Sequence, residues 1–252
     1  MVRSIKVYRY NYPPTLGEIR LKLDKNKNIP NLQPDKNDPD NTISIPSTIS
    51  ELKQHAFGIT GYLRYGFQKK NEFLADERYD ITSQEYNFLI SPPNGILILH
   101  GPPEYRIRVV ELLSQAIHGN DGDMFTEITI EKTKMKSLVE KIIRMNKENN
   151  LEEGKFRYAG KPYKSLKKIS YATITDYCAT DHPYFTPHYE KCSEWSAVCR
   201  VFRCDGIIDK VSETSQRLTI ARDASFSLTI DVDLTDWNRF IIETCKAALD
   251  LH

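Results

Sequence analysis

Long hydrophobic runs are missing from this chain. Its longest aliphatic run is Ile96-Leu97-Ile98-Leu99, far short of the roughly 20 apolar residues that a membrane-spanning helix needs. Residues 1–12 alternate polar and apolar side chains and lack the apolar core of a secretory signal, so no such signal and no membrane association are expected. Cysteine is scarce and odd in number, 5 in 252 residues, which argues against a disulfide framework. A chain of this length can bury a core without cross-links, so a reducing compartment such as the cytoplasm is the expected setting.

Catalytic signatures are missing as well. Gly101-Pro102-Pro103 lacks the flanking glycines and the Lys-Ser/Thr pair of a phosphate-binding loop, and no Gly-x-Ser-x-Gly elbow occurs. Glu153-Gly154-Lys155 has the E-x-K spelling of a metal-dependent nuclease, with Asp121 and Asp123 upstream, but it begins in a turn. Asp231, Asp233 and Asp236 read better as a polar strand face and a first helical turn than as a cation site. A non-enzymatic protein is therefore expected, with a nuclease as the third-ranked reading.

What is present is ordinary globular composition, 40% hydrophobic and 27% charged, with an uneven distribution of charge. Between Lys132 and Ser170 there are twelve Lys and Arg against four Glu, a net of +8. The remainder holds 23 basic and 30 acidic residues, a net of −7, so the overall +1 conceals two opposed regions.

Periodicity predicts an α+β protein. Residues 5–10 and 19–23 alternate and read as two strands; 24–41, rich in Asn, Asp, Lys and Pro, reads as an exposed mobile loop. Thr48 and Glu51 have the spacing of a capping box opening a helix through Ala56, and the GYLRYGF segment reads as a strand. YNFLIS and ILILH flank Pro92-Pro93-Asn94-Gly95 as a hairpin. Ile107, Val110, Leu113 and Ile117 then mark a helix ending at Gly119, with Pro102 and Pro103 suited to its first turn. A strand over 124–131 and a helix carrying Met135, Leu138, Val139, Ile142 and Met145 follow. Strands are expected at 155–160, 169–175, 197–204, 207–211, 217–222 and 227–233, and Thr235 caps a final helix. Residues 95–117 align without gaps on 227–249, which suggests an internal duplication of a hairpin-plus-helix unit. The expected architecture is two antiparallel sheets, each covered by helices. Its segments are 1–46 (N-terminal strands and exposed loop), 47–150 (first α+β unit) and 151–252 (second α+β unit).

The candidate site is the basic stretch. From Lys155 to Tyr171, cations alternate with Phe156, Tyr158, Tyr163 and Tyr171. Lysine and arginine neutralise phosphates and release counterions, while aromatic faces stack on unpaired bases. The expected nucleic-acid-binding residues are Lys155, Arg157, Tyr158, Lys161, Tyr163, Lys164, Lys167 and Lys168, extended upstream by Lys134, Lys141 and Arg144. The bland alternative is a solvated strand and loop whose tyrosines pack inward.

Cys178, His182, His188 and Cys192 form a C-x3-H-x5-H-x3-C cluster, donors that would suit zinc. The spacing departs from the common finger patterns, and the intervening prolines and aromatics suit a packed loop with free thiols, so no cofactor is expected. The function expected from these features is a non-enzymatic subunit that contacts nucleic acid through residues 132–171 within a hetero-complex. The runner-up is a protein-interaction subunit with an acidic partner, such as a non-catalytic helper in a prokaryotic nucleic-acid-targeting complex.

Overall fold

The computed structural model describes residues 2–11, 14–72, 78–119, 124–131, 133–134, 137, 156–162, 172–176, 192–201, 216–229, 238, 241–242 and 245–246. The described chain is dominated by antiparallel sheet, with two α-helices described over their whole length, an α+β arrangement. It divides into two compact units, one made of Tyr8–Thr126 and the other of Met1–Val7 with Glu127–His252. Strand β1 (Val2–Tyr10) supplies residues to both.

In the unit Tyr8–Thr126, α1 (Leu16–Lys25) follows β1, and then come β2 (Asn28–Pro34), β3 (Thr42–His55), β4 (Gly58–Lys70), β5 (Tyr79–Ser91) and β6 (Ile96–His100). Helix α2 (Arg106–His118) and the short β7 (Phe125–Glu127) complete it. The sheet order is β2-β3-β4-β5-β6-β1. Ile19 and Leu23 of α1 and Val109, Leu113 and Ile117 of α2 share one core with Ile49, Ile59, Leu63, Phe88, Ile90, Leu97 and Leu99.

Residues 19–23 are helical, not a strand. Thr15 Oγ1 accepts from the Glu18 N–H, and the Glu18 carboxylate accepts from the Thr15 N–H, a reciprocal cap. Ile19 and Leu23, four apart, are the buried pair, while Leu21 is 71% exposed, as a helical period requires and an alternating one forbids. The segment 24–41 is likewise structured: β2 occupies its centre, and Asp35 N–H donates to the Asn41 carbonyl at 2.8 Å to close the turn into β3. Asn37 binds both backbone groups of Tyr79 with its side-chain amide, which fixes the tip of this hairpin against the start of β5. Thr48 and Glu51 open no helix. They lie within β3, where Glu51 adopts φ 50° beside a register shift between Ser50 and Lys53, a bulge.

Prolines shape this edge of the sheet. The Ile49 N–H donates to the Lys27 carbonyl, which sets the phase of the β2–β3 ladder. That phase places Pro30, Pro34 and Pro46 at non-hydrogen-bonded positions, where a missing N–H costs the ladder nothing. Pro46 then has no donor for the β4 side, and β3–β4 pairing ends at Thr48↔Arg64. Side chains take over: Gly66 N–H donates to Ser47 Oγ, and its carbonyl accepts from Asn31 Nδ2 at 2.9 Å and Gln33 Nε2 at 2.8 Å.

The β5–β6 hairpin is as expected, with a 3₁₀ turn over Pro92–Asn94 and Gly95 in the left-handed region at φ 59°. Helix α2 also forms as expected and ends where Gly119 N–H donates to the Gln115 carbonyl. Pro102 and Pro103 stand before that helix rather than in its first turn, which begins at Arg106. The strand expected at 124–131 is shorter, three residues, with Ile128 and Ile130 buried beyond it.

The other unit contains β8 (Phe156–Pro162), β9 (Ala172–Asp176), β10 (Cys192–Val201), β11 (Gln216–Ala221) and β12 (Ser225–Thr229), in the sheet order β1-β12-β11-β10-β8-β9. Residues 238, 241, 242, 245 and 246 are helical, and Asn238, Ile241, Ile242 and Cys245 are buried at i, i+3, i+4 and i+7. The expected strand at 207–211 and residue Thr235 lie outside the described residues.

Gly66 is one of the positions where a side chain would clash, since an added Cβ would lie 2.5 Å from Ile45 Cγ2 and 2.7 Å from the Pro46 carbonyl oxygen. Gly66→Ala is expected to destabilise by about 1–3 kcal/mol. At Gly17, in α1, nothing lies within 4 Å, and Gly17→Ala should be neutral or stabilising by up to about 1 kcal/mol. Urea unfolding of the two variants checks this, and equal midpoints would contradict the close packing described at Gly66.

Candidate nucleic-acid interface

Three of the expected binding residues lie on β8. This strand pairs antiparallel with β10 on one edge and β9 on the other. Arg157 stands opposite Thr175 and Val198, Tyr158 opposite Ile174 and Ala197, and Lys161 opposite Glu194. The period of two puts positions 157, 159 and 161 on one face of the strand and 156, 158 and 160 on the other. The cationic positions 157 and 161 therefore share a face, and the aromatic positions 156 and 158 share the opposite one.

Lys134 is half-buried and helical, as is Thr133. Lys141, Arg144, Lys155, Tyr163, Lys164, Lys167 and Lys168 lie outside the described residues, as do Cys178, His182 and His188. Cys192 opens β10, opposite Pro162, next to a register irregularity before Glu194. Among the described residues no group of three or more His, Cys, Asp or Glu side chains is placed to hold a metal ion. Glu153 and Lys155, and the aspartates at 121, 123, 231, 233 and 236, also fall outside the described residues.

No family model matches this chain, and no curated protein matches it.

A buried charged contact among the described residues of the same unit was not legible in the sequence. Lys6 on β1 is 5% exposed, and its Nζ lies 2.8 Å from Asp223 Oδ2 and 3.8 Å from Glu127 Oε1. Lys6 pairs in register with Ser225, which places the ammonium beside the β11–β12 turn. There Asp223 also accepts from the Ser225 hydroxyl and N–H. Ala224, buried at the same turn with φ 54°, receives the Val7 N–H on its carbonyl at 3.1 Å. Burial alone would raise the Asp223 carboxyl. The hydrogen bonds from Lys6 and Ser225 and the lysine charge outweigh it and hold the carboxyl below its ordinary 3.8.

In the unit Tyr8–Thr126, the buried Tyr10 hydroxyl lies 2.7 Å from His118 Nε2, and burial pushes the phenol well above its ordinary range. Tyr65, Phe67 and Tyr105 form an aromatic group with centroid separations of 4.4–6.0 Å at the start of α2. A shallow groove of about 270 Å³ is lined by Asn26, Asn28, Ile29, Pro30, Gln115, Ala116 and Gly119. It has no charged lining residue, and its volume falls below the usual range for small-molecule sites.

Because the folded carboxyl titrates below the unfolded one, the Asp223 contribution is complete above the unfolded value and is lost as pH falls through the folded value. Asp223→Asn removes the carboxylate that lies 2.8 Å from the buried Lys6. At neutral pH it should cost about 1–3 kcal/mol, reduced from the buried-pair figure because Asp223 is half-exposed. The gap between wild type and variant should narrow below pH 4 in urea titrations. A gap that is flat across pH would contradict this assignment.

Proposed function

We propose that this chain is a non-enzymatic binding subunit that contacts nucleic acid through residues 132–171, working inside a larger assembly in a reducing compartment. The observation that carries this reading is the net charge of +8 between Lys132 and Ser170 in a chain whose remainder carries −7. Phosphate backbones reward such a concentration through counterion release. Strand β8 lies inside the region and is paired on both edges. It therefore offers no free ladder edge, and recognition at this strand runs through side chains. Cations at 157 and 161 are suited to phosphates, and the aromatic residues of the stretch to unpaired bases. A single strand is the ligand class that uses both, whereas the backbone of a heteroduplex would use the cations alone.

Duplication belongs to the same proposal. Each unit holds a strand that precedes a helical segment, β6 before α2 in one and β12 before the helical residues 238, 241, 242, 245 and 246 in the other. These are the elements brought together by aligning 95–117 on 227–249, and two related halves with divergent charge would leave one of them to carry the basic region.

No helix among the described residues is long and apolar enough to cross a membrane, and the proposed partner is a polyanion in water. Fluorescence anisotropy with labelled single-stranded and duplex DNA and RNA tests the reading. Log affinity should fall linearly with log salt concentration, with single strands preferred. Changing Lys164, Lys167 and Lys168 to Glu should weaken binding and reduce the salt slope by roughly 0.7 for each phosphate of a single strand that is no longer neutralised. No binding at low salt would overturn the proposal and turn attention to an acidic protein partner.

A further inference from the structure

No further inference is drawn: the strongest candidate, the uncharged outer face of the β2–β3 ribbon on which Pro30, Leu32, Pro34, Ser44 and Pro46 are exposed, carries nothing because nothing in the structure shows what covers it.

Discussion

Strand β6 is the constraint on which the unit Tyr8–Thr126 depends. All five of its residues, Ile96–His100, are buried. A strand dry on both faces has no polar side to present, which is why its sequence is an unbroken apolar run ending in one histidine. Its register with β5, from Asn87↔His100 to Ser91↔Ile96, is set by the turn at Pro92–Gly95. The Gly95 carbonyl in turn accepts the Tyr10 N–H at 2.7 Å and ties the hairpin to the end of β1. Beyond β6 the chain returns as α2, where the buried Arg106 donates from Nη2 to the Gly101 carbonyl at 2.6 Å. Phe88, Leu97 and Leu99 then share a core with Val109 and Leu113, each worth about 1.5–3 kcal/mol of burial. The more distant strands β2 and β3 are held by their ladders and, at Gly66, by the side chains of Asn31, Gln33 and Ser47.

The parts of this fold that were legible in the sequence are those in which local pattern and burial agree. The β5–β6 hairpin and α2 carry a turn signal, an apolar run and a helical stripe that all say the same thing. Two Thr-x-x-Glu segments show where that agreement fails. Thr15–Glu18 and Thr48–Glu51 have the same capping-box spelling, yet only the first opens a helix. Ile19 and Leu23 follow the first at helical spacing. Ile43, Ile45 and Ile49 lead into the second at even spacings, with β-branched side chains that favour a strand. The wider pattern decides between identical motifs. The Asn- and Pro-rich 24–41 segment misled for a related reason: its polar amides at Asn31, Gln33 and Asn37 bond backbone groups rather than water.

The site was legible to a different degree. Charge segregation is a property of the sequence, and the proposed interface rests on it. The register of β8 between β9 and β10 was not readable, because pairing partners are set by long-range packing. Lys6 was hidden for a sharper reason. Its neighbours Ile5 and Val7 are both fully buried, so β1 reads as an alternating strand with a solvated lysine. In the fold, residues 5–8 of that strand are all buried, and the ammonium is answered by Asp223, more than 200 residues away in sequence.

One chain carries two oppositely charged regions, and β8, which lies within the basic one, is paired on both edges. A phosphate-directed surface is the reading that rests on these two facts. Its sharpest test is ultraviolet cross-linking of the intact protein to a single-stranded oligonucleotide, followed by mass spectrometry of the linked peptides. Adducts are expected on peptides spanning 155–171, centred on Tyr163 and Tyr171. Adducts confined to the unit Tyr8–Thr126, or none at a saturating oligonucleotide concentration, would contradict it.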